Sequence, residues 1–257
     1  MCSSKLTNSR IGFALNGYEN NISSWLETIT SCFEENGYPL KSVSYDIDYN
    51  KFERKSLNTF RKSISDKPEF PIENLYSFTV FTAEKQTIPA TSHYGCFFDS
   101  PSKLLILFFD SSYNKTDILL FYKKVLALLL SNHVVQGGYL FYQERQHDYP
   151  MGRNSLTQNF YKEDGNTWWV LMKPENRAET FKKKNLYRHI YEENILSKYH
   201  IEEKFDGLSL DKWICQNNFG HVRKIGIENW LWTIPKDKLH EIQVTFYNRN
   251  LLLGVKS

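Results

Sequence analysis

Apolar and polar positions along this chain switch between a period of two and a period of about 3.6, and the switches mark out strand-helix-strand units. The first begins with the apolar run Ile11-Gly12-Phe13-Ala14-Leu15, which predicts a strand. From about Asn21, the residues Ile22, Trp25, Leu26, Ile29, Cys32 and Phe33 recur at helical spacing, so a helix with one apolar face follows. Asn36-Gly37 and then Pro39 end it. Over residues 42–48, Val43, Tyr45 and Ile47 alternate with Ser44, Asp46 and Asp48, the period of a strand buried on one side only.

A polar stretch over 51–65 predicts a second helix, and strands are expected over 76–82, 94–98 and 104–109. Asp99-Ser100-Pro101-Ser102 has the composition of a turn, making the last two strands a hairpin. The second unit runs from Leu104-Leu105-Ile106-Leu107-Phe108-Phe109 through a helix capped by Thr116 to a strand over 139–143 opened by Gly137-Gly138. That helix is apolar nearly all round, so it is expected to be the central packing element. Further on, the pattern predicts a strand over 167–172, a helix over 185–196, and another from a Ser209 cap through Trp213 and Ile214. The third unit is a strand over 230–234, a helix started by Pro235 that carries Leu239, Ile242 and Phe246, and a closing strand at Leu251-Leu252-Leu253. Repeated units of this kind imply an α/β (α+β) fold, a mixed β-sheet with helices packed against it.

At 257 residues the chain suits a single domain, or two intimately packed halves over 1–150 and 151–257. Aromatic residues make up 16% of it, enough either to fill a core or to supply anchors at a binding surface. The net charge of +3 is too small to mark a nucleic-acid binder by electrostatics alone. The amino terminus has no apolar signal region, and the most apolar stretch, 118–130, is broken by Lys123-Lys124 and too short to cross a bilayer. A soluble cytoplasmic protein with no membrane contact is the expectation.

Candidate chemistry is sparse. His93 precedes Cys96 by three positions, which on a strand puts them on opposite faces, and Cys32 and Cys215 fall on apolar helix faces, so burial is the expected role of all three thiols. The seven histidines form no H-x-x-x-H pair, and Asp46 and Asp48 read as the solvated side of their strand, so no metal is expected. Gly137-Gly138 enters a strand rather than opening a helix, so no phosphate loop and no nucleotide cofactor is implied. Lys182-Lys183-Lys184, with Arg188, His189, Tyr187 and Tyr191 nearby, could touch phosphate, but a solvated helix start is the commoner reading of such a run. The stretch of most interest follows the strand that completes the second unit, where ligands often sit in α/β sheets. It carries Glu144, Arg145, His147, Asp148, Tyr149 and Arg153, read as a binding surface. His147 and Asp148 are adjacent, a spacing poorly suited to orienting an imidazole, and no nucleophile stands nearby. Catalytic residues are therefore not assigned.

The order Pro71-Ile72-Glu73-Asn74-Leu75-Tyr76-Ser77-Phe78-Thr79-Val80, Tyr94-Gly95-Cys96-Phe97-Phe98 and Lys103-Leu104-Leu105-Ile106-Leu107, before a long apolar helix and a Gly-preceded strand, resembles the middle of certain bacterial immunity proteins. These are the ones encoded beside polymorphic and type VI secretion toxins. Asn194-Ile195-Leu196, Leu210-Asp211-Lys212-Trp213-Ile214, Gly220, Leu231-Trp232 and Leu252-Leu253 are similar to their carboxyl-terminal pattern. The resemblance implies a cytosolic inhibitor that binds a cognate protein toxin and occludes its active site through Tyr, Trp and Arg anchors, with no catalytic residue of its own. The competing readings are an enzyme using the loop around His147, Asp148 and Arg153, and a structural subunit that self-associates as a homodimer.

Overall fold

The computed structural model describes residues 9–18, 22–46, 52–65, 75, 77–82, 92–100, 103–144, 161–162, 187–252 and 255–256. Ten strands form one sheet: β1 (Ser9–Asn16), β2 (Ser42–Asp46), β3 (Phe52–Ser56), β4 (Ser77–Phe81), β5 (Tyr94–Asp99), β6 (Leu104–Asp110), β7 (Gly137–Glu144), β9 (Glu193–Ser197), β12 (His221–Lys224) and β13 (Asn229–Thr233). Two small two-stranded sheets pair β8 (Tyr161–Lys162) with β14 (Val255–Lys256) and β10 (Lys204–Phe205) with β11 (Leu208–Ser209). The described helices are α1 (Ile22–Glu35), α2 (Leu57–Ser65), α3 (Lys115–Leu130), α4 (Lys198–Glu202), α5 (Leu210–Gln216) and α6 (Lys236–Asn248).

The large sheet runs β12-β13-β9-β7-β1-β6-β5-β4-β2-β3, and each of these neighbours pairs antiparallel. The first two strand-helix-strand units are present within it, yet their strands do not pair with each other. β6 and β7 both run opposite to β1 and flank it, so α3 carries the chain across β1 from one to the other. Tyr122 of α3 marks that crossing, because its hydroxyl donates to the carbonyl of Ile11 at 2.8 Å. β1 and β2 likewise point the same way with β6, β5 and β4 between them. The parallel pairing implied by a mixed sheet is therefore replaced by an antiparallel ladder throughout the described strands of this sheet, which allows evenly perpendicular hydrogen bonds.

Alternation along the strands creates two faces. On one, Ile11, Phe13 and Leu15 of β1 and Leu105, Leu107 and Phe109 of β6 meet Trp25, Leu26 and Phe33 of α1, Phe60 of α2 and Phe121, Val125 and Leu129 of α3. On the other, Ala14, Ile106, Phe108, Tyr139 and Phe141 form a second buried cluster. A third lies on that same second face toward β12, where Trp213 of α5, Ile242 and Phe246 of α6, Leu196 and Trp232 pack together. Gly12 has a specific purpose here: a Cβ on it would come within 2.1 Å of the Phe141 ring lying across from it.

Several local expectations change. Asp46 is buried rather than solvated, although it lies on the opposite face of β2 from the core residues Val43 and Tyr45; Asp48 lies outside the described residues. The first half of the expected 51–65 helix is the edge strand β3, and the expected 185–196 helix gives way to β9. α3 is capped by Asn114, whose side chain accepts from the N–H of Thr116 and of Asp117, rather than by Thr116. It is also not enclosed all round, since Leu120 and Leu128 are 61% and 44% exposed. Leu251 and Leu252 of the expected closing strand make no strand of the large sheet, Leu252 forming an isolated parallel bridge to Tyr187, and Leu253 lies outside the described residues. The expected strand at 167–172 lies outside the described residues. Both sheet edges carry charge, Glu53, Arg54 and Lys55 on β3 and His221, Arg223 and Lys224 on β12, which discourages edge-to-edge pairing.

Candidate functional site

Glu144 closes β7 opposite Ser9, whereas Arg145, His147, Asp148, Tyr149 and Arg153 lie outside the described residues. One position before Glu144, the three central strands build a polar row. Gln143 of β7 stands opposite Arg10 of β1, which stands opposite Asp110 of β6, and all three side chains are 0% exposed. Burying the charges of Arg10 and Asp110 this deeply is costly unless partners offset their lost hydration, and each of the three residues takes part in interactions there. The Arg10 guanidinium lies 5.0 Å from the centre of the Phe108 ring, and Asp110 accepts from the N–H of Ser112 at 2.9 Å. Ser9 and Ser111, on the next position of each strand, share a hydroxyl hydrogen bond.

On the same face, the row continues through Phe141 to Tyr139 and a second network. Arg188 donates to the Tyr139 hydroxyl, Tyr139 stacks on Tyr191 at 4.4 Å, and His189 packs edge-on to Tyr191 at 5.5 Å. Asn194 closes the loop onto itself, accepting from the N–H of Tyr191 at 3.1 Å and donating to its carbonyl at 2.7 Å. Gln243 of α6 reaches in to donate to the Ile190 carbonyl at 2.8 Å. Arg188, His189, Tyr187 and Tyr191 are all buried, so the part of the basic run that is described is committed to the interior rather than to a solvated helix start. Lys182, Lys183 and Lys184 lie outside the described residues.

The opposite face carries ion pairs instead. Lys123 of α3 pairs with Glu193 at 3.2 Å, and Glu192 receives Lys115 at 3.7 Å and Lys236 at 3.6 Å. Lys115 also lies 4.9 Å from the centre of the Tyr142 ring. Burial raises the Tyr142 phenol above its ordinary range, and the carboxylates of Glu192 and Glu193 push it the same way.

Groups that could do chemistry are used structurally. Burial drives the Cys96 thiol far up, and burial followed by the charge of Glu35 raises that of Cys32, so neither supplies a thiolate near neutral pH. Cys215 is exposed on α5, against the expectation that it would be buried, because its neighbours Trp213 and Ile214 take the inward positions of this short helix. His200 caps α4, its Nδ1 accepting from the N–H of Ser197 at 3.0 Å. His133 stacks on Trp25 at 4.8 Å. Among the described residues no group of three or more His, Cys, Asp or Glu side chains stands together to hold a metal ion.

What the surface does offer is apolar. Of the four exposed large apolar side chains among the described residues, Leu120 and Leu128 lie on α3 and Ile227 lies beside its carboxyl-terminal end. Ile227 is placed there by its N–H, which donates to the Leu130 carbonyl at 2.9 Å. Gly226, at a φ of +80°, makes that approach possible, since a Cβ would fall 2.0 Å from the same carbonyl. Among the described residues the tryptophans serve the core: Trp25, Trp213 and Trp232 are buried and Trp230 is half-buried, while Trp168 and Trp169 lie outside the described residues.

No protein-family model matches the chain, and no curated protein does. Its fold is shared with a known structure. That structure is the Pseudomonas aeruginosa T6SS protein PA0821, similar with a TM-score of 0.53 at 11% sequence identity over 95% of this chain and 72% of the other. At that identity the likeness establishes the architecture, a broad antiparallel sheet with packed helices, and not a conserved set of side chains. No helix among the described residues is long and apolar enough to cross a membrane.

Proposed function

We propose that this protein is a toxin-neutralising, immunity-type binding protein of a type VI secretion system, which occludes the active site of a cognate bacterial toxin. The observation that carries the reading is the shared fold with a T6SS protein along nearly the whole chain. The segment order that resembles immunity proteins supports it independently. So do the exposed apolar side chains Leu120, Leu128 and Ile227 on and beside α3, because exposed apolar groups favour a protein partner. The contact residues in this reading are these three and the stretch carrying Glu144, Arg145, His147, Asp148, Tyr149 and Arg153, which follows the central strand β7 in sequence.

The test is co-expression with the products of the genes adjacent to its own. Rescue of growth from one of them, together with a complex that survives size-exclusion chromatography, is the expected result. Rescue should be lost in a Leu120→Glu/Leu128→Glu variant that keeps its circular dichroism and melting transition. Failure of every adjacent product both to bind and to be neutralised overturns the reading.

A further inference from the structure

We propose that residues 187–252 open as a unit of their own along the seam between β7 and β9, a conformational device independent of which partner the protein binds. Among the described residues, the unit carries an apolar core cluster made of residues from 187–252 and centred on Trp213, Phe205, Trp232 and Phe246. β7 pairs with β1 through eight residue pairs but with β9 through three, Gly137 with Leu196, Gly138 with Ile195 and Tyr139 with Asn194. Two of those three positions are glycines, which give the seam no side chains of their own to pack across it.

The remaining ties over the seam are polar as well as apolar. Lys123 meets Glu193 at 3.2 Å and Lys115 meets Glu192 at 3.7 Å on one face. Arg188 meets the Tyr139 hydroxyl on the other, and Asn229 meets Val135 at the end. Ile195, Ile225 and Leu231 add apolar contacts to the first core. Tyr191 adds a further apolar contact, to the cluster of Phe108, Tyr139 and Phe141. A short ladder held partly by ion pairs that water and salt can reach, beside a unit with a large core cluster of its own, is an arrangement in which one body opens before the whole chain unfolds.

Native-state amide exchange of the full chain, read by mass spectrometry over graded denaturant, tests this. The slow amides of β9, β13, α5 and α6 should share one opening and exchange at least about tenfold faster than those of β1 and β6. Raising the salt concentration, or substituting Lys123→Ala, should speed that shared opening about two- to threefold while leaving β1 and β6 unchanged. Lys123 is partly exposed, so this variant is expected to fold even if one in the buried network does not. Equal protection of the two sets, with salt and substitution moving both together, overturns the proposal.

Discussion

The side chain of Asn229 does for Val135 what a neighbouring strand would do. Its Oδ1 accepts from the Val135 N–H at 3.2 Å, and its Nδ2 donates to the Val135 carbonyl at 2.9 Å and to that of Leu196 at 3.2 Å. Asn229 is fully buried, and the residues it joins lie 94 positions apart, in the connection after α3 and at the start of β13. One amide thus satisfies backbone groups that would otherwise be stranded where no strand passes.

Asn229→Ala should therefore cost about 2–4 kcal/mol, because it leaves buried donors and acceptors without partners rather than merely removing a contact. Urea denaturation measures it. A loss below about 1 kcal/mol would mean that water replaces the amide at this position.

Two glycines separate crowding from backbone strain. At Gly12 an added methyl group would strike the Phe141 ring in the middle of the sheet, so Gly12→Ala should destabilise by about 3 kcal/mol or more. At Gly37 nothing stands within 4 Å, but φ is +81°, so Gly37→Ala should cost only about 1 kcal/mol, set by the left-handed conformation. Thermal melts of the two variants should rank in that order, and the reverse order would contradict the packing of Phe141 over β1.

Burial lifts the phenols of Tyr122 and Tyr187 well above their ordinary value of 10.0. A group whose folded pKa is raised favours folding fully below its unfolded pKa, and the contribution is lost as pH rises through the folded value. Stability should then hold steady through neutral pH and fall from about pH 10 upward. Tyrosinate absorbance at these two positions should appear together with unfolding. Titration of both in a chain that keeps its far-ultraviolet circular dichroism would refute the assignment.

Thiol reactivity should sort by burial. Cys215 is exposed and should be alkylated within minutes in the native protein, while Cys32 and Cys96 should react only on unfolding. Peptide mapping after iodoacetamide treatment distinguishes them, and early labelling of Cys96 would contradict its burial in the core between Val80 and Leu107.

The candidate binding surface was partly visible in the chain. The stretch from Glu144 to Arg153 stood out through its place after a strand, and Leu120 and Leu128 could be seen as apolar positions on a helix already apolar all round. That these two face solvent could not be read, since it depends on where α1 and the sheet stop covering α3. The row of Asp110, Arg10 and Gln143 was missed for a related reason: each residue is an ordinary polar end of an apolar strand, and only the register of β6, β1 and β7 sets them side by side. A hint existed in that each falls within a position or two of the end of its run.

The amino-acid sequence by itself determined the elements whose periodicity is strong and local: the apolar strands β1, β5, β6 and β13, the helices α1 and α6, the turn between β5 and β6, and the overall α+β class. Tertiary structure alone decided that β3, β9 and β12 are strands, because their weakly patterned sequences take extended form from the strands they pair with: β2 for β3, β13 for β12, and the distant β7 and β13 for β9. It also decided that the crossover units interleave into an antiparallel sheet, and that Asp46 and Arg188 are buried. Strand pairing and burial are properties of neighbours brought together by folding, and a residue's own side chain does not encode which neighbour arrives.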